Sequence, residues 1–171
     1  MTTVQHETRE GPALSAQALE RIEREAAKYP PEQRQSAVMS SLAIVQEEQG
    51  WLSSEAMEEV ARILRMPPVQ VYEVATFYGM YNLKPAGRHK VAICTNLPCA
   101  LSGAVDAAEH LKRRLGIEFN ETSADGAIHL KEGECFGACG DAPVLIVDNK
   151  RMCSFMSNEK LDRLVEELKG K

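Results

Sequence analysis

The sequence predicts an α+β protein of two domains, a small helical bundle followed by an α/β domain. Apolar residues recur at helical spacing in the first part of the chain, between breaks that contain proline. Strand-like apolar runs alternate with helical segments in the last part, and a polar stretch with Pro85 and Gly87 separates the two. The predicted divisions are a mobile polar tail over residues 1–12, a helical bundle over 13–82, a linker over 83–88 and the α/β domain over 89–171.

The helices of the first domain are delimited by proline pairs and by capping residues. Pro30-Pro31 and Pro67-Pro68 each end a helix, because an interior proline removes a backbone hydrogen bond and clashes with the preceding turn. Ser53 or Ser54 is positioned to cap the third helix. The four predicted helices run from about Ser15 to Tyr29, from 32 to 48, from Ser54 to Met66 and from Pro68 to Tyr78. Their short connections predict a small antiparallel bundle.

The second domain combines apolar runs with two helical segments. The runs are HKVAICT at 89–95, PVLIVD at 143–148 and RMCSFM at 151–156. The last two runs flank Asn149-Lys150, which predicts a hairpin with a two-residue turn. Ser102 and Ser157 are predicted to cap the two helices. The order strand, helix, weak strand, hairpin and helix is compatible with a thioredoxin-like α/β sandwich.

Composition narrows the classes of function. The net charge of −5 at pH 7 argues against nucleic acid as a partner, because phosphate binding needs a basic surface. No apolar run approaches the roughly 18 residues of a membrane span, so we expect no direct membrane insertion. The first residues, MTTVQHETREGP, lack the apolar core of a signal peptide, so we expect a cytoplasmic protein. Structural disulfides are disfavoured in that compartment, and the five cysteines need another explanation.

Four of the five cysteines form two close pairs. Cys94 and Cys99 lie in CTNLPC, and Cys135 and Cys139 lie in CFGAC. The first pair follows a predicted strand and precedes a predicted helix, while the second pair precedes the predicted hairpin. We therefore expect all four thiols on loops at one end of the sheet.

Three alternatives compete with a cluster of iron and sulfide. A structural zinc ion would take four thiolates, although neither pair has the C-x2-C spacing that is common in zinc sites. A disulfide-exchange centre would need a C-x-x-C motif, which the sequence lacks. Four separate buried cysteines would act as small core residues, but Gly133, Gly137 and Gly140 argue against a regular core in this region.

An iron–sulfur cluster is the favoured interpretation of the two pairs. A [2Fe–2S] cluster takes two thiolates on each iron, and two paired loops supply them most simply. Gly137 and Gly140 would let backbone N–H groups approach the sulfurs, and Leu97 and Phe136 are apolar neighbours that would exclude water. A helix starting just after Cys99 would turn its positive end towards the anionic cluster.

These residues carry a resemblance to a known family. CTNLPCALSGA and ECFGACGDAP together resemble the thioredoxin-like [2Fe–2S] ferredoxins and, within them, the E-type (24-kDa) subunits of bacterial NADH:quinone oxidoreductase, respiratory complex I. QEEQGWLS (46–53) and VYEVATFYGMYNLKPAGRH (71–89) resemble that family's helical N-terminal segments. The resemblance covers about Ser15 to Lys169, with Tyr81 standing where the family leads us to expect Phe.

The resemblance implies a set of cluster ligands and a division of labour. By position, the iron ligands are Cys94, Cys99, Cys135 and Cys139, whereas Cys153 matches no ligand position. The chain would be a one-electron carrier with no catalytic residue of its own. FMN, NADH and a [4Fe–4S] cluster are expected on a partner of the F type, in the peripheral arm of a membrane-bound complex. The sequence agrees with this division, since it has neither a G-x-G-x-x-G turn nor a Walker loop.

Other parent assemblies are compatible with the same module. The resemblance extends to the diaphorase part of NAD-linked hydrogenases and formate dehydrogenases. A free, diffusible ferredoxin and a zinc-stabilised interaction module are the alternatives from other classes of protein.

Overall fold

The computed structural model of the chain describes residues 14–170. The backbone divides into two compact units between Lys84 and Pro85. The first unit is helical and the second combines helices with a mixed sheet, which confirms the predicted α+β class. The tail predicted over residues 1–12 lies outside the described residues, and the assignment of independent domains joined by a linker stays a prediction.

The first unit is built from helices that bury one apolar core. In chain order they are α1 (Ala16–Ala26), a 3₁₀-helix (Pro31–Ala37), α2 (Val38–Gln49), α3 (Ser54–Leu64) and α4 (Pro68–Phe77). Helix α2 lies at the centre of the unit, since it packs against α1, α3 and α4. Ile22 of α1, Leu42 of α2 and Val60 of α3 are fully buried in this core, and each belongs to the apolar stripe predicted for its helix.

Capping fixes the ends of these helices largely as predicted. The Ser15 hydroxyl accepts the Ala18 N–H at 3.1 Å, and α2 ends at Gly50, which has a φ of 81°. Of the two serines that the sequence offered for α3, Ser53 is the cap, and its hydroxyl accepts the Ala56 N–H at 3.1 Å.

The prediction of one α-helix over residues 32–48 is wrong in its first part. Residues 31–37 form a 3₁₀-helix, within which Gln33 leaves helical geometry at φ −117° and ψ 21°. The segment PEQRQS offers no apolar stripe to hold an α-helix against the core, and Ala37 is its buried residue. Regular α-helix begins only at Val38, where apolar residues resume.

The second unit contains a five-stranded mixed sheet. Its elements are β1 (His89–Cys94), α5 (Leu97–Leu101), α6 (Ala104–Leu115), β2 (Glu121–Thr122), β3 (Ile128–Gly133), a 3₁₀-turn (Cys139–Asp141), β4 (Leu145–Val147), β5 (Arg151–Cys153) and α7 (Asn158–Lys169). The strand order is β2-β3-β1-β4-β5, with β1 and β3 parallel and the other neighbours antiparallel. Side chains of α6 and α7 share one apolar core with Val91, Ile93 and Leu130 of the sheet.

Two local predictions for this unit need correction. Ser102 does not cap the helix after the first cysteine pair, because its hydroxyl donates to the Pro98 carbonyl at 3.1 Å and closes the short helix α5. Gly103, at φ 87°, then separates α5 from α6. The hairpin loop has three residues rather than the predicted two, since Val147 pairs with Arg151 across it. The loop starts at Asp148, and Asp148 and Asn149 take the positive φ values of 53° and 55°. Asp148 is held there by accepting the Lys90 N–H at 2.7 Å.

No helix within residues 14–170 is long and apolar enough to cross a membrane.

The cap of α3 supplies a direct test of this packing. Replacing Ser53 by Ala leaves the Ala56 N–H without its side-chain acceptor, so we expect the free energy of unfolding to fall by about 1 kcal/mol. The matched control is Ser54→Ala, because Ser54 is the first residue inside the helix. Urea denaturation followed by circular dichroism measures both variants, and an equal loss in the two would contradict the assigned cap.

Candidate metal centre

Parallel pairing of β1 with β3 brings the two cysteine segments to one edge of the sheet. Cys94 is the last residue of β1 and lies directly opposite Gly133, the last residue of β3. Because the strands are parallel, the segments that leave them start at the same edge. Strand β4 runs antiparallel to β1, so the segment carrying Cys135 and Cys139 returns to that edge, where the Cys94 N–H donates to the Val144 carbonyl at 3.0 Å.

The two segments also contact each other through the first thiol. Cys94 Sγ lies 3.7 Å from the carbonyl oxygen of Glu134, the residue that precedes Cys135. The Thr95 hydroxyl lies 2.6 Å from a carboxylate oxygen of Glu132, which joins the same two segments on the other side. The expectation that all four cysteines lie at one end of the sheet agrees with this arrangement.

The four cysteines differ in their surroundings. Cys94 and Cys99 are only 2% and 1% exposed, whereas Cys135 and Cys139 are exposed. The expectation that all four sit on loops is wrong for the buried pair, since Cys94 ends β1 and Cys99 lies inside α5. The helix predicted after Cys99 is α6, which begins at Ala104, and the sequence analysis missed the short helix α5 that precedes it. Leu97, which we expected to exclude water, is 69% exposed.

The surroundings of the Cys99 thiol disfavour its thiolate form. Burial is the largest of the causes that raise the pKa of the Cys99 thiol to about 11, and its hydrogen bond with Cys94 acts in the same direction. The negative charges of Cys94, Cys139 and Cys135 contribute as well, so each of these sulfurs lies within electrostatic range of Cys99. Four thiolates so placed repel one another unless cations lie among them, and a metal-bound thiol is deprotonated outright.

Apolar side chains enclose the buried pair. Ala104 and Val144 are fully buried against Cys94 and Cys99. The partly buried side chains packed onto this group are those of Phe136, Ala138 and Ala142. The seven residues of this enclosure are called the cysteine cluster below: Cys94, Cys99, Ala104, Phe136, Ala138, Ala142 and Val144.

The loop between Cys135 and Cys139 has a special backbone at one of its two glycines. Gly137 has a φ of 70°, a conformation that favours glycine, and its N–H points at the Cys135 sulfur with N and Sγ 3.4 Å apart. Gly140 shows neither a positive φ nor a close neighbour. The prediction that glycine brings a backbone donor to sulfur is therefore supported at Gly137 and not at Gly140.

A close contact in this loop escaped the sequence analysis. A Cβ atom added to Gly133 would overlap Cζ of Phe136 and would lie 2.9 Å and 3.0 Å from Cε1 and Cε2 of the same ring. A side chain at position 133 would therefore require the Phe136 ring to move. Nothing in the sequence distinguishes a glycine needed for such a contact from one needed for a positive φ.

The donor set fits a binuclear cluster in its chemistry. Across residues 14–170, no group of three or more His, Cys, Asp or Glu side chains is already arranged to hold a metal ion. The fit therefore rests on four thiols in two pairs, one pair buried and one exposed, with an N–H donor aimed at one sulfur. Two thiolates for each iron are what a [2Fe–2S] cluster takes.

The remaining candidate ligands lie elsewhere. Cys153 is the last residue of β5 and packs against the core shared by α6, α7 and the sheet, not in the cysteine cluster. The described histidines have other neighbours: His89 Nδ1 is 2.8 Å from Asp148, His110 Nε2 is 2.9 Å from Asp162 and His129 Nδ1 is 3.0 Å from the Thr122 hydroxyl.

Comparison with known proteins agrees with this site. A family model described as thioredoxin-like [2Fe-2S] ferredoxin matches residues 22–169. The chain therefore belongs to the thioredoxin-like [2Fe–2S] ferredoxin family, as the sequence analysis predicted. The match includes the two cysteine pairs and most of the helical unit that precedes them.

Relatives at appreciable identity come from bacteria. The E subunit of the NADH-quinone oxidoreductase of Rickettsia felis is 41% identical over 141 residues, which are 82% of this chain and 84% of the relative. Subunit 2 of the NADH-quinone oxidoreductase of Thermus thermophilus is 36% identical over 149 residues, or 87% of this chain and 82% of the relative.

A solved structure shows the same fold in a larger chain. The NAD+-reducing [NiFe]-hydrogenase in its air-oxidized state superimposes with a TM-score of 0.66 at 20% sequence identity. The match covers 78% of this chain and spans only 23% of the hydrogenase chain.

The burial of Cys99 predicts a graded reactivity of the metal-free chain. At pH 8 we expect iodoacetamide to alkylate exposed Cys135 and Cys139 first, because Cys99 is buried and its pKa of about 11 leaves it protonated. The thiolate fraction of Cys99 should rise about tenfold per pH unit as the pH approaches 11. Time-resolved peptide mass spectrometry measures the rates, with the urea-unfolded chain as control. Equal folded-state rates at Cys99 and Cys135 would exclude this arrangement.

The contact between Gly133 and Phe136 predicts a non-additive pair of substitutions. Gly133→Ala should lower the free energy of unfolding of the metal-free chain by about 1–3 kcal/mol, because the new Cβ overlaps the ring. In a Phe136→Ala background the same change should cost less than about 0.5 kcal/mol, because the obstructing ring is gone.

The control for that pair is Gly140→Ala, since a Cβ at Gly140 meets nothing within 4 Å. Urea denaturation of the four chains in the cycle gives the coupling. Additive losses at Gly133 and Phe136 would show that the ring does not rest on the glycine.

Proposed function

We propose that the chain is an electron-transfer subunit of an NADH-quinone oxidoreductase and holds one [2Fe–2S] cluster between its two cysteine pairs. The observation that carries this proposal is that the segments bearing the two cysteine pairs leave adjacent ends of β1 and β3 and contact each other, with Cys94 Sγ 3.7 Å from the Glu134 carbonyl oxygen. Membership of the [2Fe–2S] ferredoxin family and 36–41% identity to subunits of this complex support it.

In this proposal each pair of cysteines has a distinct structural task. Cys94 and Cys99 are fixed by β1 and α5 and are closed off from solvent, so they anchor the group on the protein side. Cys135 and Cys139 hold it from the exposed loop, where the Gly137 N–H stabilises sulfur charge. When bound, the cluster would take up and release one electron at a time.

The chain's own residues supply no acid–base step in this function. Of the acidic residues beside the cysteines, Glu132 accepts a hydrogen bond from the Thr95 hydroxyl, and Glu134 contacts Cys94 Sγ with its backbone carbonyl rather than with its carboxylate. Hydride chemistry would belong to a partner, for which we propose an F-type subunit that carries FMN, the NADH site and a [4Fe–4S] cluster. The proposed location is the cytoplasmic peripheral arm of the membrane-bound complex.

The division of the chain fits this role. We propose that residues 13–82 form a helical domain and residues 89–171 the thioredoxin-like domain that holds the cluster, with 83–88 as linker. The two compact units that meet between Lys84 and Pro85 support this division.

A diaphorase subunit of an NAD-linked hydrogenase is the second candidate. The superposition on the NAD+-reducing hydrogenase favours this candidate. At 20% identity, however, that likeness is evidence for a shared fold and not for a shared function. The relatives at 36–41% identity, with most of both chains covered, favour the NADH-quinone oxidoreductase. Copurification under native conditions separates the candidates: a quinone-reducing complex supports the first and a nickel-containing one the second. Recovery of the chain without a flavoprotein would support a free ferredoxin.

Cluster content of cysteine variants tests the ligand assignment. After anaerobic purification we expect two irons and two sulfides per chain and an S = 1/2 EPR signal on reduction with dithionite. Cys139→Ser should lose or greatly weaken this signal, because it replaces a proposed iron ligand. Cys153→Ser is the matched control, since Cys153 packs in the helix–sheet core. Loss of the signal in Cys153→Ser with full retention in Cys139→Ser would refute the assignment.

A further inference from the structure

The Phe136 ring lies between the end of β3 and the buried cysteine pair. On one side it rests so closely on Gly133 that a Cβ atom at that position would overlap the ring. On the other side it packs onto the group formed by Cys94, Cys99 and their apolar neighbours. Gly133 itself stands directly opposite Cys94 in the sheet. The ring therefore contacts both the end of β3 and the group around the buried cysteine pair.

Phe136 also supplies the largest apolar surface in the cysteine cluster. The other members besides the cysteines are Val144 and three alanines, none of which can cover an opening as large as an aromatic ring. Phe136 is half-buried, so one part of the ring faces the site while another part faces solvent. It directly follows Cys135, whose own side chain is exposed. The ring therefore lies at the boundary between the exposed cysteine pair and the buried cysteine pair.

We infer that Phe136 is a shielding residue, whose ring excludes water from the inner side of the cluster and holds its reduction potential at a more negative value. The inference rests on the proposed function, because it concerns the cluster that the four cysteines are proposed to hold. It assigns a role to a side chain that is neither a ligand nor a hydrogen-bond donor to sulfur.

The direction of the effect follows from charge. A [2Fe–2S] cluster with four thiolate ligands is anionic when oxidised and gains a further negative charge on reduction. Water stabilises the more highly charged state better than an apolar side chain does, both as a high-dielectric medium and as a hydrogen-bond donor to sulfur. Removal of the ring therefore favours reduction and moves the midpoint potential to a less negative value.

Gly133 acts through the same ring. Since a Cβ at this position would overlap Phe136, Gly133→Ala must displace the ring from its present position. The midpoint potential of Gly133→Ala should then shift in the same direction as that of Phe136→Ala. In the double variant the second substitution should add no further shift, because the ring that it displaces is already absent.

The experiment uses the anaerobically purified, cluster-loaded full chain. The variants are Phe136→Leu, Phe136→Val and Phe136→Ala, which remove apolar bulk in steps. The matched control is Phe119→Ala, because Phe119 is also half-buried in this unit but packs on the helix–sheet core, with Lys112 Nζ 4.5 Å from its ring centroid. EPR-monitored redox titration gives the midpoint potential, and pulsed EPR after exchange into D2O reports deuterons near the cluster.

The expected result is a midpoint potential that becomes less negative, and a deuterium modulation that deepens, in the order wild type, Leu, Val, Ala. Phe119→Ala should match the wild type in both measurements. If Phe136→Ala fails to hold the cluster, the midpoint potentials and deuterium modulations of the wild type, Phe136→Leu and Phe136→Val still test the inference. Unchanged potential and modulation across the series, or an equal shift in Phe119→Ala, would overturn the inference and leave the proposed function standing. A wild-type chain without iron and sulfide would overturn both.

Discussion

The register between β1 and β3 is the constraint on which the cysteine site depends. Val91 and Ile93 of β1 face the same core as Ile128 and Leu130 of β3, and all four are almost fully buried. A slip of one residue would turn the apolar residues of one strand away from that core. Each such side chain stabilises the fold by about 1.5–3 kcal/mol when buried. The core therefore fixes the register, and the register sets Cys94 opposite Gly133.

From that fixed pair the site is completed by local chain geometry. Cys99 is buried within helix α5, while Cys135 and Cys139 are exposed on the loop after β3. The thiolate form of Cys99 is unfavourable in these surroundings, because burial and the neighbouring cysteines raise the pKa of its thiol. Iron would remove this conflict, because cations offset both the burial and the mutual repulsion of the thiolate charges. Folding thus builds a site whose electrostatics favour cation binding.

The sequence predicted the elements that end at proline, at glycine or at a capping serine. Helices α1, α3, α4 and α7 have such signals and their bounds lie close to those expected. Prediction from the sequence failed where tertiary contacts outweigh the local pattern of residues. Residues 31–37 are polar and form a 3₁₀-helix that lies against the bundle, and the hairpin turn is moved to Asp148 by a hydrogen bond from β1.

At the site, residue types were predictable and geometry was not. Cysteine pairing and the resemblance that it carries led to the family, which the comparisons confirm. The helix around Cys99 could not be predicted because the short segment LPCAL gives no periodicity, and Ser102 offered a false cap. The contact of Phe136 with Gly133 depends on the path of a loop, which spacing along the chain does not record.

The proposed function requires that the two pairs of thiols at one sheet edge share a single inorganic core. Native mass spectrometry of the anaerobically purified chain weighs that core directly, without reduction or removal from the protein. We expect one dominant species that carries two irons and two sulfides. A dominant species that carries one zinc ion, or no metal at all, would contradict it.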